Sequence, residues 1–270
     1  IPNISIDRVE ALITGKTKAG VVVHDDGVAV DMDKVMEVAD NHNLFLVEDA
    51  AHAIDSYYKG RALGSIGHFG TFSFHETKNI ICGEGGMLAV NDSRFVEKAE
   101  IIWEKGTNRA AFHRGEVKEY NWVDLGSSFL PSDLTAAFLY SQLLEMDDIQ
   151  EKRIRVWKTY HEKLKPFRDT GKINYPDIPD FASLNGNMFY IFLPDRQSRD
   201  ELIAYLKNHD VLAVFHYLPL HESPYYKDKH DGRTLPNTNR FSDTIVRLPF
   251  YVELSRKDIN YVCQLIKEAL

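Results

Sequence analysis

Hydrophobic positions in the first half of the chain fall into short runs separated by amphipathic stretches. Val9, Leu12 and Ile13 recur at helical spacing, and Val21-Val22-Val23 is a β-branched run. Val35, Val38 and Ala39 mark one face of a second helix. Leu44-Phe45-Leu46-Val47 is a continuous apolar run that ends at Glu48-Asp49. Thr71-Phe72-Ser73-Phe74 and Met87-Leu88-Ala89-Val90 are further strand candidates. Short apolar runs between helices predict an α/β fold with a mostly parallel sheet, buried on both faces. Ligand chemistry is then expected at the carboxyl ends of the strands.

A long helical stretch follows, from about Ser132 to Lys165. Leu134, Ala137, Phe138 and Ser141 share a face of its first part, and Val156, Trp157 and Tyr160 share one of its second. A break is expected near Met146-Asp147-Asp148. Beyond it the texture changes, with Pro176, Pro179 and Pro194 as punctuation. Ser198 with Glu201 reads as a capping box opening a helix through Leu202 and Leu206. Ser255 with Asp258 opens a last helix carrying Ile259, Val262, Cys263 and Ile266 on one face. Strand-like runs cover 189–193 and 212–217. The pattern predicts a large domain over 1–148, then a connector helix and a smaller α+β domain over 149–270.

The 270 residues are 44% hydrophobic and 27% charged, which argues against intrinsic disorder. A net charge of −8 argues against a chain built to hold nucleic acid or an anionic membrane. No apolar run approaches the roughly 20 residues that a membrane-spanning helix needs. Two cysteines, Cys82 and Cys263, exclude a disulfide scaffold and fit a reducing cytoplasm. The first residues are Ile1-Pro2-Asn3 rather than Met, so a longer parent protein is expected. Phosphate-loop, dinucleotide and nucleophile-elbow spacings are absent from the sequence. Gly83-Glu84-Gly85-Gly86 reads as a tight turn before a strand. Among the 11 histidines only His216 and His221 lie close together near aromatic residues, and no metal site is predicted.

Asp49 and Lys78 carry the candidate chemistry. Asp49 ends an apolar strand, and Lys78 follows the Thr71–Phe74 run in the loop His75-Glu76-Thr77-Lys78-Asn79. On neighbouring strands both would emerge at one end of the sheet. Such a pair suits pyridoxal phosphate: the lysine condenses with the aldehyde, and the aspartate pairs with the protonated ring nitrogen. Ser73 could offer its hydroxyl to the phosphate. Spacing alone leaves a plainer reading open, an exposed lysine and a structural aspartate.

Val47-Glu48-Asp49-Ala50-Ala51-His52-Ala53, Tyr58-Lys59-Gly60-Arg61, Phe72-Ser73-Phe74-His75-Glu76-Thr77-Lys78-Asn79 and Gly83-Glu84-Gly85-Gly86 occur in that order. Together they resemble the DegT/DnrJ/EryC1/StrS family of nucleotide-sugar aminotransferases. The resemblance continues through Lys105-Gly106-Thr107-Asn108-Arg109, Gly126-Ser127-Ser128, Ser132-Asp133-Leu134, the segment from Phe215 to His221, and Arg247-Leu248-Pro249. It is strongest to the branch of dTDP-4-amino-4,6-dideoxygalactose transaminases.

The resemblance implies a fold-type I pyridoxal-phosphate enzyme acting as a homodimer. It implies Lys78 as the covalent anchor and catalytic residue, with Asp49, His52 and Ser73 as further cofactor contacts. Arg109, His216, Tyr217 and His221 are implied on the substrate side. The reaction would carry nitrogen from glutamate to a nucleotide-linked 4-keto-6-deoxyhexose. Two departures stand out. Gly126-Ser127-Ser128-Phe129 replaces an aromatic–Asn–aromatic segment whose Asn reaches the partner's cofactor phosphate, so Ser128 is the candidate for that role. The family's N-terminal part also has no counterpart here, so an incomplete cofactor pocket and an exposed sheet edge are expected. Other readings are a 3-amino or other nucleotide-sugar aminotransferase, and a non-catalytic relative or cofactor-binding regulator. Sugar dehydratases of this fold carry His in place of the lysine, so Lys78 argues against that chemistry.

Overall fold

The computed structural model describes residues 2–270 and divides into two compact units. The larger comprises Asn3–Met146 with Phe181–Ser183, and the smaller contains Asp147–Asp180 and Leu184–Leu270.

In the larger unit, strands β1 (Ala19–Val23), β2 (Phe45–Asp49), β5 (Phe69–Ser73) and β6 (Gly86–Val90) form one sheet in the order β1-β2-β5-β6. The first three are parallel and β6 is antiparallel to β5. Helix α1 (Met32–Asn41) crosses between β1 and β2. A separate two-stranded ribbon, β3 (Tyr57–Tyr58) and β4 (Arg61–Ala62), is formed by the chain that connects β2 to β5. The helix expected around Val9–Ile13 is instead a pair of 3₁₀ turns, Ile6–Arg8 and Glu10–Leu12. Ile13 is already extended and Thr14-Gly15 follows, so the nucleus is too short to propagate.

The expectation of burial on both sheet faces is corrected. Val22, Leu46 and Glu48 point to the covered face, under α1 and the segment 50–67. The register Val23↔Asp49 and Asp49↔Thr71 puts odd-numbered positions on the other face. There Val21 is 59% and Val23 45% exposed. Phe95 packs on Phe45 and Phe69 at one end of this face, and most of the rest is open.

On the covered face the Glu48 carboxylate accepts four hydrogen bonds. Backbone amides of Gly64, Ile66 and Gly67 donate at 2.8, 2.6 and 2.6 Å, and His24 Nε2 donates at 3.1 Å. Burial alone would raise the Glu48 pKa, but these donors outweigh it and hold the carboxyl below its ordinary value. Asn91 Nδ2 grips the same loop from its carbonyl side, donating to Gly64 O and Gly67 O at 2.9 Å each.

Helices α2 (Val96–Trp103), α3 (Arg109–His113) and α4 (Asp133–Leu144) complete this unit. Ser132 caps α4 by accepting from the Thr135 amide. Helix α4 is rich in apolar residues that are not confined to one face, and it buries none of its side chains; Leu134 is 85% exposed.

All but the first residue of α5 (Met146–Asp169), which a break at Glu145 separates from α4, belongs to the smaller unit. Val156, Trp157, Tyr160 and Leu164 of α5 pack with Phe189, Ile191, Leu202, Val262 and Ile266. Strands β7 (Tyr190–Phe192) and β8 (Ile245–Arg247) pair antiparallel, flanked by α6 (Arg196–Lys207), α7 (Pro236–Thr244) and α8 (Arg256–Ala269). Ser255 caps α8 as its spacing suggests. The α6 capping box is corrected: Asp195 is the cap, accepting from the Ser198 amide at 2.8 Å. Ser198 is therefore inside the first turn. The strand expected over 212–217 is reduced to one bridge, Val214↔Arg247. Its neighbour β8 is only three residues long, and Leu212, Phe215 and Tyr217 are exposed. His216 is an exception in this segment. Burial, and then Arg247, push its imidazole down to about 4.

Two outcomes follow from these contacts. A Cβ on Gly70 would lie 2.1 Å from Gly64 O. Gly70→Ala is expected to cost about 1–3 kcal/mol or more, read as a lowered urea midpoint with unchanged slope. For His216, the unfolded chain takes a proton near 6.5 and the native state refuses it until about 4. Stability should therefore decline as pH falls from 6.5 to 4. His216→Gln should flatten that decline by about 1–2 kcal/mol, discounted because the ring keeps partial solvent contact. Denaturant titrations across this pH range would show it, and an unchanged slope would refute the assignment.

Candidate active site

Parallel strands end together, and β1, β2 and β5 each deliver polar residues at their carboxyl ends. Asp49 is the last residue of β2, half-buried, on the open face. Its Oδ1 accepts from the Ala51 amide at 3.1 Å, which orients the carboxylate. Its carbonyl accepts from the His24 amide at 3.1 Å, and the Ala50 amide donates to Thr71 O at 2.9 Å. The peptide around Asp49 is thus held from both neighbouring strands.

Ser73 ends β5 and lies on the same face as Asp49, two positions past Thr71, which pairs with Asp49. Its hydroxyl accepts from the His75 amide at 3.3 Å. Lys78 lies in the β5–β6 loop. The loop base is pinned by Phe74 N→Gly85 O and Cys82 N→Phe74 O, both 2.8 Å. Glu76 N→Gly83 O at 3.0 Å and Lys78 N→His75 O at 2.9 Å shape its interior, with Gly83 supplying a φ of +81°. Glu76 and Thr77 are exposed, whereas Asn79 and Ile80 are buried. Lys78 sits at that boundary, half-buried. In the same loop burial, and then Glu84, raise the pKa of the Cys82 thiol.

His52 follows β2, and its Nδ1 accepts from the Asp26 amide at 3.3 Å. That leaves the ring proton on Nε2 in the neutral form. The Asp25 carboxylate lies 3.9 Å from the same nitrogen. Asp26 adopts a left-handed φ of 56° in the turn after β1. His24, Asp25 and Asp26 were not singled out from the sequence. The available signal was an acidic pair and a glycine directly after a β-branched run.

The remaining candidates lie elsewhere. Arg109 opens α3 in the larger unit, where Nη1 donates to Glu104 Oε1 at 2.8 Å and Nε to His113 Nε2 at 3.1 Å. Ser128 bridges Glu104 across a short antiparallel contact. His216, Tyr217 and His221 belong to the smaller unit. Tyr217 is 74% exposed and stands edge-on to His216, and the His221 ring is 5.2 Å from that of His230. Among the described residues no cluster of three or more His, Cys, Asp or Glu side chains forms a metal-binding group. No helix among them is long and apolar enough to cross a membrane.

The donor set at the strand ends fits pyridoxal phosphate. It offers an oriented carboxylate for a protonated ring nitrogen and a hydroxyl for the phosphate. It adds an imidazole with a fixed tautomer and a half-buried amine on a pinned loop.

Comparison with known proteins agrees. The sequence model of the DegT/DnrJ/EryC1/StrS aminotransferase family matches residues 2–267. The spore coat polysaccharide biosynthesis protein SpsC of Bacillus subtilis (strain 168) is 32% identical over 98% of this chain and 70% of its own length. The solved aminotransferase from Psychrobacter cryohalolentis superposes with a TM-score of 0.91 at 27% identity, covering 98% of this chain and 72% of that one. TlmJ, an aminotransferase from Streptoalloteichus hindustanus, gives 0.88 at 25% identity over 99% and 70%. The chain belongs to the DegT/DnrJ/EryC1/StrS aminotransferase family and is a pyridoxal-phosphate-dependent sugar aminotransferase.

Proposed function

We propose that this enzyme moves an amino group from glutamate to a nucleotide-linked 4-keto-6-deoxyhexose, with dTDP-4-keto-6-deoxyglucose as acceptor. The product is the 4-amino-4,6-dideoxy sugar nucleotide. The observation that carries this reading is Lys78, in the His-Glu-Thr-Lys-Asn loop pinned to the end of β5, beside the strand that ends in Asp49. Pyridoxal phosphate, when bound, supplies the electron sink through which nitrogen passes from donor to acceptor.

The chain's own residues hold the reaction in place. Lys78 Nζ would hold the cofactor, and its amine would serve as the base that takes up and returns the proton of the donor's α-carbon. Asp49 holds a proton on the ring nitrogen, its carboxylate already aimed by the Ala51 amide. Ser73 donates to the phosphate. His52, as the Nε2–H tautomer, presents a donor to the ring substituents. His216, Tyr217 and His221 meet the sugar nucleotide. Arg109 serves an anionic group of donor or nucleotide less readily, because Glu104 and His113 already engage it.

The name of the Bacillus relative supports a product destined for a surface polysaccharide. The exposed apolar helix α4 supports a homodimer. Its two free cysteines support a cytoplasmic location.

The first test is the near-visible spectrum of the protein with pyridoxal phosphate, before and after glutamate. A yellow band that bleaches on adding glutamate establishes the donor half, and a panel of keto-sugar nucleotides then identifies the acceptor. Lys78→Ala should lose both the band and about 10²–10⁴-fold or more of turnover; an active variant would sink the assignment. Asp49→Asn should cut the rate by about tenfold or more, about 1.4 kcal/mol in barrier, with little change in thermal midpoint. Parallel losses of rate and stability would mark Asp49 as structural.

A further inference from the structure

We propose that Glu48 and His24 form a buried positioning pair that acts on the cofactor through Asp49. The proposal rests on the reading of Asp49 as the partner of the ring nitrogen. Both side chains are fully buried, on the sheet face opposite the one that carries Asp49. Neither can touch a ligand on that face.

The linkage is short and complete. The Val30 amide donates to His24 Nδ1 at 3.2 Å, so the imidazole proton is on Nε2 and points to Glu48 Oε2. The ring is therefore clamped at both nitrogens. The same residue's backbone N–H donates to the Asp49 carbonyl. On the other side the Thr71 hydroxyl donates to the Glu48 carbonyl at 3.3 Å. The Glu48–Asp49 peptide is thus held at successive carbonyls by β1 and β5, and the His24–Glu48 side-chain bond locks the β1 contact beneath it. The three amides of the 64–67 loop keep Glu48 anionic and immobile. A second carboxylate next in sequence, held charged beneath the sheet, also favours a cation on the Asp49 side.

The alternative is that Glu48 merely staples the 64–67 loop. Asn91 provides the control, because it holds the same loop through Gly64 O and Gly67 O without touching His24 or Asp49. The experiment measures the dissociation constant for pyridoxal phosphate and the thermal midpoint of the cofactor-free protein. The variants are E48Q, H24Q and N91A, alone and in the D49N background.

E48Q and H24Q are expected to weaken cofactor binding by about tenfold. In the D49N background the same changes should alter it by less than about twofold. N91A should lower the thermal midpoint yet leave affinity within about twofold. If E48Q fails to fold, H24Q carries the cycle alone, since it leaves the loop contacts in place. Wild-type affinity in folded E48Q and H24Q would overturn the proposal. So would an N91A loss equal to theirs, or effects that multiply in full with D49N; in those cases the Asp49 reading survives. If D49N alone leaves affinity unchanged, both the Asp49 reading and this proposal are overturned.

Discussion

A carboxylate with no access to solvent sits beneath the sheet that carries the candidate active site, and the architecture around it follows from keeping it satisfied. An isolated buried anion would be untenable, and the usual escape is protonation. Glu48 avoids it because three amides of the 64–67 loop and one imidazole converge on its two oxygens. That convergence demands a backbone that can approach closely. Gly64, Gly67 and Gly70 supply it; Gly64 takes a left-handed φ, and its backbone leaves no room for a Cβ on Gly70. The loop that satisfies Glu48 is also the one that feeds directly into β5, the strand ending at Ser73 and the Lys78 loop. A local electrostatic requirement thus sets where the strand leading to the Lys78 loop begins.

The alternation of strand side chains then separates packing from chemistry. Even positions of β1 and β2 carry Val22, Leu46 and Glu48 into the core cluster with α1. Odd positions carry Val23, Asp49 and, on β5, Thr71 and Ser73. With a period of two, a one-residue slip of β2 would bury Asp49 and expose Glu48. The four hydrogen bonds to Glu48 make such a slip costly, so the same contacts that stabilise the fold also select the register in which Asp49 faces the ligand side.

Much of this was legible in sequence, for identifiable reasons. The β-branched and apolar runs located β1, β2, β5 and β6, because buried strands concentrate such residues whatever their partners. Asp49 and Lys78 stood out because the motif blocks that contain them resemble the family in order and spacing; strand position alone left a structural aspartate and an exposed lysine equally open. Glu48 was passed over as the polar end of an apolar run, although it is the more deeply buried of the two. Its importance depends on residues 16 to 24 positions away, which no local periodicity reports. The α6 cap was misplaced for a related reason: Asp195 and Ser198 are both competent caps, and only the backbone at Asp195 is extended. The run 212–217 has strand composition, but its one partner strand is too short to sustain a ladder.

Three histidines show how the same side chain is directed to different ends by its first hydrogen bond. The Val30 amide makes His24 a donor from Nε2, and Glu48 receives it, so the ring becomes a strut. The Asp26 amide fixes the same tautomer in His52, but this ring lies half-exposed at the carboxyl ends of the strands. His216 lacks a hydrogen-bond partner at its buried Nδ1 and lies near Arg247, so it stays neutral well below the ordinary imidazole range. In each case the nearest backbone or charged neighbour, not the residue type, decides whether the imidazole is clamped in the core, held in one tautomer at the strand ends or kept neutral by burial.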